Sequence, residues 1–309
     1  AVAALILAAT GVATVAAAAL AAHADVSGPV AALLVVVPVA VGDALAPLVD
    51  AMRSLARSAV AKARMAALLD QRPAVAEPAT RGEPAAYLDG RPHLRIRDVT
   101  ASWTGARTDL PATTLDLPPG RRVAIIGANG SGKSTLLAVL ARHLDATSGN
   151  YTLDGVDVRD LPVEAVRRLI AVVDDEPHVF ASTLRANLLV ASPDATDSDV
   201  TRALRGAGLS SWLTALPDGL DTVLGTGGRG ISGGERARLG LARALASGRP
   251  IILLDEPVAH LDHATAEAIL ADLTGATHDR TVVMVSHRDD GFSGFDHIID
   301  LTPAHHLGG

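Results

Sequence analysis

The chain has 309 residues, a length typical of about two domains. It contains no cysteine, which excludes disulfides, thiolate metal sites and a cysteine nucleophile within the chain. Its formal net charge of −7 gives no sign of nucleic-acid binding. The charge is unevenly distributed, because Asp25 and Asp43 are the only charged side chains in residues 1–49.

The first predicted elements are two apolar helices. Residues 1–24 form an uncharged run rich in Ala, Val and Leu, and residues 26–49 form a second run interrupted only by Asp43. Because about 20 helical residues span the hydrocarbon core of a bilayer, the pattern predicts a helical hairpin that crosses a membrane twice. By the positive-inside rule, the basic residues that follow place this end of the hairpin in the cytoplasm. These residues are Arg53, Arg57, Lys62 and Arg64.

Two alternatives stay open for this region. The first run resembles a signal peptide with a small-residue cleavage site at Ala22-His23-Ala24, and both runs also fit buried helices of a soluble domain. The membrane hairpin is favoured because no initiating Met and no basic segment precede the first run. We therefore expect residues 1–64 to be the C-terminal part of a longer membrane domain. The second helix is expected to continue as far as Leu69. Residues 65–92 are assigned to a linker, because residues 71–92 are rich in Pro, Gly, Ala and Glu.

A phosphate-binding loop follows an apolar strand predicted at residues 121–126. The loop matches the pattern G-x-x-x-x-G-K-[ST], and residues 136–144 after it have helical character. Glycines let the backbone N–H groups of such a loop converge on phosphates, and the helix N-terminus adds a favourable dipole. We expect Lys133 to neutralise the β- and γ-phosphates of ATP, and the Ser134 hydroxyl to bind Mg²⁺. The predicted ATP-binding residues of the loop are Gly127, Ala128, Asn129, Gly130, Ser131, Gly132, Lys133, Ser134 and Thr135.

A second segment rich in Ser and Gly lies further along the chain. Residues 216–222 have the sequence LPDGLDT, and the segment itself consists of Ser232, Gly233, Gly234 and Glu235. A helix is predicted directly after it, over residues 236–246. The N-terminus of such a helix is suited to contact an anion.

Two carboxylates end the next predicted strand. Residues 251–254 are an apolar run suited to a buried parallel strand, and Asp255 and Glu256 follow it. Asp255 is placed to hold Mg²⁺ directly or through water, and Glu256 to act as the general base for an attacking water. The long separation from Lys133 predicts a subdomain inserted between the two motifs.

These motifs and their order resemble the ATP-binding domain of ABC transporters. Ser232–Glu235 is similar to the ABC signature, which implies that it acts in trans on the γ-phosphate held by a partner's lysine loop. Residues 216–222 resemble exporter-type ATPase domains in particular. The resemblance also implies adenine stacking on Trp103, a D-loop at Asp262 and a γ-phosphate sensor at His287, which with Glu256 would form the catalytic pair. A structural role stays open for Trp103, Asp262 and His287.

The sequence departs from the family pattern at two positions. Asp175 occupies the place of the Q-loop glutamine, where its carboxylate is expected to approach Mg²⁺ together with Ser134 and Asp255. Thr226 occupies a place where many exporters carry a glutamate. The first departure implies that coupling between the nucleotide and the membrane domain differs in this chain, and the second concerns a position that in exporters contacts the membrane domain of the partner half.

Several segments are similar to the CydC-type half of CydDC exporters. They are residues 42–47, 178–188 and 232–245. The resemblance implies a heterodimer with a CydD-like half, which would be a multi-pass protein of the plasma (inner) membrane with a cytoplasmic ATP-binding domain. Its implied small-molecule cargo is a thiol reductant, cysteine or glutathione, or haem, in support of cytochrome bd assembly.

Three other functions stay open. The chain also fits an exporter half for lipid, drug or peptide, a regulatory half that hydrolyses ATP weakly, and a soluble ABC ATPase that acts on nucleic acid. The expected fold is α/β: a P-loop NTPase ABC nucleotide-binding domain over residues 93–309, preceded by the transmembrane helical hairpin. A small antiparallel sheet is expected near residues 93–125 and a helical subdomain over roughly residues 182–235.

Overall fold

A computed structural model describes residues 2–23, 27–70, 73–78, 90–225, 230–259, 261–287 and 292–301. The chain divides into two compact units, residues 1–72 and residues 73–309.

The first unit is a pair of helices, α1 over Val2–His23 and α2 over Gly28–Leu69. They pack closely where α2 carries Gly42, since a Cβ there would lie 3.4 Å from Cγ2 of Thr10. The predicted continuation of the second helix to Leu69 is confirmed. Within the residues that the structure describes, no helix is both long enough and apolar enough to span a membrane.

The second unit alternates strands and helices. Its described strands are β1 Leu94–Ala101, β2 Leu110–Leu117, β3 Arg122–Ile126, β4 Ser148–Leu153, β5 Val156–Asp157, β6 Ile170–Val173, β7 Ile251–Asp255, β8 Thr281–Val285 and β9 His297–Asp300. Its described α-helices are α3 Lys133–Leu140, α4 Val163–Arg167, α5 Leu184–Leu189, α6 Asp197–Gly206, α7 Ser210–Ala215, α8 Gly233–Ala246 and α9 His263–Ala276.

One sheet is antiparallel, in the order β2-β1-β4-β5. The expectation of a small antiparallel sheet is confirmed, but its predicted range was wrong. Strands β4 and β5 come after α3, and β1 pairs with β4 through contacts such as Leu94 with Leu153. Strand β3, which the predicted range included, belongs to the other sheet.

The other sheet is parallel, in the order β6-β7-β8-β3-β9. The apolar residues 251–254 of β7 and all of β8 are buried, as expected for strands covered on both faces. Since the strands are parallel, the carboxyl ends of β3, β7 and β8 meet at one edge, where ligands bind in open α/β sheets.

The predicted helical subdomain is confirmed between β6 and α8. Helices α5, α6 and α7 share one apolar cluster with α8, including Leu188, Leu204, Trp212 and Leu241. The same cluster reaches the parallel sheet through Ile252 and Val282. The subdomain is therefore packed on the sheet that carries the catalytic motifs.

Candidate functional site

The predicted phosphate-binding loop connects β3 to α3. Gly127, Gly130 and Gly132 all have positive φ, of 152°, 79° and 99°. Gly132 is the most restricted, because a Cβ would lie 2.9 Å from the carbonyl oxygen of Asp109. The loop can therefore follow this path only with glycine at that position.

The ammonium of Lys133 points back into this loop. It donates to the carbonyl oxygens of Gly127 at 2.7 Å and Ala128 at 3.0 Å, and it lies 3.4 Å from Nδ1 of His287. Burial lowers the pKa of Lys133, and the nearby charges of Glu256 and Asp255 oppose this effect. The lysine is thus held where an anionic ligand of the loop would meet it.

A cavity of about 430 Å³ opens in front of the loop. This volume lies within the usual range for small-molecule sites, roughly 300–1,000 Å³. The lining brings together residues that are far apart in the sequence. They are Trp103, Arg107, Thr108, Asp109, Asn129, Gly130, Gly132, Lys133, Ser134, Thr135, Glu256 and His287.

The two predicted catalytic residues are in contact at the edge of the parallel sheet. Glu256 follows β7 and His287 follows β8, and Oε1 of Glu256 forms a short ion pair with Nε2 of His287. Glu256 has a left-handed backbone, with φ of 49°, and its N–H donates to the carbonyl oxygen of Val285 at 3.0 Å. Neighbouring strands therefore hold the carboxylate and the imidazole together facing the cavity.

Asp255 and Ser134 place a carboxylate and a hydroxyl, both hard oxygen donors, close to this pair. Burial raises the pKa of Asp255, Glu256 adds to the rise, and a hydrogen bond with Ser134 opposes it. Within the described residues, no three His, Cys, Asp or Glu side chains form a metal cluster. Mg²⁺ is commonly bound by one or two carboxylates together with phosphates and water, so a hydroxyl and a carboxylate beside a phosphate-binding loop fit this ion.

The structure gives Asp175 a local partner. Its Oδ1 accepts a hydrogen bond from the backbone N–H of Glu176 at 2.8 Å. Asp175 is also one of the negative charges that raise the pKa of Asp255. Its predicted role as a metal ligand stays a prediction.

Trp103 also lines the cavity, two residues after β1. Its side chain is exposed, and its indole N–H lies 3.4 Å from Oγ1 of Thr135. Sequence reasoning selected Trp103 but missed Arg107, Thr108 and Asp109 on the same wall. These three residues belong to no motif, and only their nearness to Trp103 in the chain hinted at their position.

The signature-like segment does not line this cavity. Ser232 caps α8: its N–H donates to Oε2 of Glu235 at 2.7 Å, and its Oγ accepts from the N–H of Glu235 at 3.2 Å. Gly233 and Gly234 form the first turn of α8. The predicted action in trans stays a prediction.

Asp262 caps α9 in the same manner. Its Oδ1 accepts from the N–H of Thr265 at 3.0 Å, and this hydrogen bond lowers the pKa of Asp262. Its predicted D-loop role stays a prediction. Thr226 lies outside the residues that the structure describes.

Comparison with known proteins agrees with this geometry. Residues 110–259 match the family described as ABC transporter. The chain is 39% identical over 273 residues to the glutathione/L-cysteine transport system ATP-binding/permease protein CydC of Escherichia coli, covering 88% of this chain and 47% of that protein. It is 43% identical over 197 residues to the mycobactin import ATP-binding/permease protein IrtB of Mycolicibacterium thermoresistibile, covering 64% and 34%.

Two further similarities complete the comparison. The ATP-dependent lipid A-core flippase of Thiobacillus denitrificans is 37% identical over 236 residues, covering 76% of this chain and 40% of the flippase. A bacterial Atm1-family ABC exporter solved with ATP bound aligns with a TM-score of 0.65 and 25% identity, covering 96% of this chain and 52% of the exporter. The chain thus spans about half the length, or less, of the relatives that it matches.

Proposed function

Because residues 110–259 match the ABC transporter family, we propose that this chain binds and hydrolyses ATP as one half of a heterodimeric ABC exporter. The observation that carries the proposal is the shared cavity of Lys133, Ser134, Glu256 and His287. A lysine loop, an oxygen ligand, a base and an imidazole within one cavity are the groups that phosphoryl transfer to water needs.

The chemistry is divided among these side chains. Lys133 exchanges its two carbonyl contacts for phosphate oxygens, and the backbone N–H groups of the loop surround the same phosphates. Bound Mg²⁺ would neutralise phosphate charge, held by Ser134 and Asp255. Glu256 accepts a proton from the attacking water, and His287 orients that carboxylate and contacts the γ-phosphate.

The signature-like segment is assigned to the partner's nucleotide. Ser232 and Glu235 are held by reciprocal hydrogen bonds at the start of α8, away from the chain's own cavity. In the proposed dimer, each half supplies this helix N-terminus to the γ-phosphate in the other half. The proposed partner is a second, CydD-like half.

Residues 1–64 are proposed to be the end of a membrane domain in the plasma (inner) membrane. The near absence of charge in residues 1–49 supports this role, and so does the similarity to CydC. That alignment of 273 residues is longer than the second unit, so it reaches into α2 of the first unit. The ATP-binding domain is placed in the cytoplasm by the basic residues that follow the apolar runs.

The favoured cargo is a thiol reductant, cysteine or glutathione, or haem in support of cytochrome bd assembly. The extent of the similarity to CydC supports this choice. The alternative is a half that moves lipid, drug or peptide, and the similarity to a lipid A-core flippase favours lipid among these. One similar protein, IrtB, is named for import. Export is therefore itself part of the proposal.

The test is steady-state ATP hydrolysis by the full-length protein with its partner half in lipid. Glu256→Gln on this chain alone should lower the rate by about 10²–10⁴-fold, the usual contribution of a general base, while ATP still binds. Glu267→Gln is the matched control, since Glu267 also pairs with a histidine, His263, at 3.2 Å on α9 but does not line the cavity. An unchanged rate for Glu256→Gln would make this chain a regulatory half, with hydrolysis in the partner's site.

A further inference from the structure

The loop between β1 and β2 forms one wall of the nucleotide cavity. It contributes Trp103, Arg107, Thr108 and Asp109 to the lining, together with Lys133 of the phosphate loop. The loop has few internal contacts of its own. Examples are the N–H of Gly105, which donates to Oγ of Ser102 at 2.9 Å, and the N–H of Ala106, which lies 3.3 Å from Oγ1 of Thr104.

Asp109 forms hydrogen bonds with residues near both ends of this loop. Its Oδ2 accepts from the backbone N–H of Trp103 at 2.8 Å, and its Oδ1 accepts from Nε of Arg107 at 2.8 Å. Its own backbone N–H donates to the carbonyl oxygen of Ala101 at 2.9 Å. The carboxylate side chain is 10% exposed, so the loop folds over it.

The same residue also touches the phosphate loop. The carbonyl oxygen of Asp109 lies so close to Gly132 that a Cβ on that glycine would be 2.9 Å away. Trp103 makes a second link, because its indole N–H reaches Oγ1 of Thr135 at 3.4 Å. The position of the indole relative to the phosphate loop thus depends on Asp109.

Arg107 is left with unused donors. Its side chain is 83% exposed and lines the cavity, and only Nε has a hydrogen-bond partner among the described residues. The two remaining nitrogens are free to donate to oxygen atoms of a ligand. A guanidinium that is held at Nε loses less freedom when it binds phosphate or hydroxyl oxygens.

We propose that Asp109 is a positioning residue for the nucleotide, which holds Trp103 against the base and Arg107 against the ribose or phosphate oxygens. This inference rests on the proposed ATP-binding function. Asp109 touches no reacting atom, so it acts on affinity rather than on the chemical step.

The experiment uses the fluorescence of Trp103. The chain has two tryptophans, so Trp212→Phe makes Trp103 the sole emitter. Energy transfer from Trp103 to N-methylanthraniloyl-ATP is titrated in the full chain in detergent micelles. Asp109→Ala should raise the dissociation constant about tenfold, as expected for lost hydrogen bonds to a charged group, and shift the Trp103 emission. In the hydrolysing complex, the same variant should raise KM and leave kcat within twofold.

Conservative and control variants separate positioning from general damage. Asp109→Asn keeps an acceptor for the N–H of Trp103 but loses the charge that faces Arg107, so its effect should be intermediate. Arg107→Ala should weaken binding without shifting the free Trp103 emission. Asp116→Ala is the matched control, because Asp116 pairs with His93 and Arg95 on the same sheet away from the cavity. It should bind the probe as the parent does.

Two outcomes would contradict the proposals, one the nucleotide site itself and the other the positioning role of Asp109. If Lys133→Ala binds the probe as tightly as the parent does, the proposed nucleotide site itself is wrong. If Lys133→Ala abolishes binding while Asp109→Asn and Arg107→Ala remain within twofold of the parent, the positioning role is overturned. Circular dichroism melts check folding, and both of these mild variants allow a decision even if Asp109→Ala unfolds.

Discussion

At the residue scale, the ionised carboxylate of Asp255 destabilises the folded protein. Asp255 ends β7 with one neighbouring carboxylate, Glu256, directly beside it, and burial raises its pKa. Between its ordinary pKa and this raised value, the folded chain binds more protons than the unfolded chain, so stability falls as pH rises through that window. Above the window, the ionised and partly buried Asp255 carries the full cost.

Asp255→Asn should therefore stabilise the protein without nucleotide. We expect a higher melting temperature than wild type at pH 7.5, and a smaller difference as the pH falls toward the ordinary pKa of an aspartate. Circular dichroism melts from pH 5 to 7.5, with EDTA present, measure the effect. Asp116→Asn is the control, and its melting temperature should change in the opposite direction. A hydrogen bond from His93 lowers the pKa of Asp116, so the folded state favours the ionised carboxylate and its loss should lower the melting temperature. A variant of Asp255 that melts below wild type throughout this range would contradict the expectation.

Where a motif fixes the backbone, the sequence predicted side chains that the structure brings to one cavity, and their roles with ATP stay predictions. Lys133 and Glu256 were found because a glycine loop and an apolar strand specify where the next side chains lie. The contact between Glu256 and His287 was not predicted, since it depends on β7 and β8 being neighbours in the sheet. Asp109 was missed because its two hydrogen bonds are made by a loop without regular structure, which no periodic pattern describes.

At the element scale, α8 joins the signature-like segment to the segment that follows Asp175. Gly240 lies on the face of α8 that contacts Pro177, where a Cβ would be 2.5 Å from Cγ of the proline. One turn further on, Arg243 donates to the carbonyl oxygen and the Oδ1 of Asn187, each at 2.8 Å. Since Asn187 is fully buried, α8 and the start of the helical subdomain are held as one body.

Gly240→Ala should weaken this packing. The added methyl group collides with Pro177 and comes within 3.1 Å of Cγ1 of Val173, so the free energy of unfolding should fall by about 1–3 kcal/mol. Gly275→Ala is the matched control on α9, since nothing lies within 4 Å of its Cβ position. It should stabilise by about 0.5–1 kcal/mol through helix propensity. Urea unfolding of both variants and of the wild type measures these changes. If Gly240→Ala is as stable as the wild type, α8 and Pro177 can shift to accept the added methyl group without cost.

Element types were easier to predict than element partners. The strand at residues 251–254 was found because four apolar residues between polar segments suit a buried parallel strand. Strands β4 and β5 were missed in the antiparallel sheet, because β4 pairs with β1 across the whole phosphate loop and α3. Such a pairing is fixed by tertiary packing and leaves no local pattern.

At the scale of the whole molecule, the ATP-binding unit is held together within its own boundaries. Both large apolar clusters consist of residues between Leu94 and Leu301. The unit also includes residues 73–78, which the sequence assigned to a linker because of their composition. The structure gives this short segment specific hydrogen-bond partners, which its composition did not indicate.

The partners of residues 73–78 surround a buried arginine. Arg142 is 1% exposed, and its Nη2 donates to the carbonyl oxygen of Ala76 at 3.2 Å. Asp145 accepts from the N–H of Ala76 at 2.8 Å and donates its own N–H to the carbonyl oxygen of Ala74 at 2.9 Å. The segment thus covers residues just beyond the C-terminal end of α3, whose other end begins at Lys133.

Residues 73–309 should consequently fold alone, whereas residues 90–309 should be less stable. The longer fragment keeps both apolar clusters and every described residue of the cavity, so it should melt in one transition and bind N-methylanthraniloyl-ATP within about twofold of the full chain.

The shorter fragment leaves the buried Arg142 without the carbonyl of Ala76, and each buried polar group that loses its partner costs about 1–3 kcal/mol. Arg142→Met within residues 73–309 removes the arginine itself, so adding the deletion to that variant should cost less than it does in the wild type. Urea unfolding of the four proteins gives this coupling directly, and strictly additive losses would mean that residues 73–78 stabilise the unit independently of Arg142.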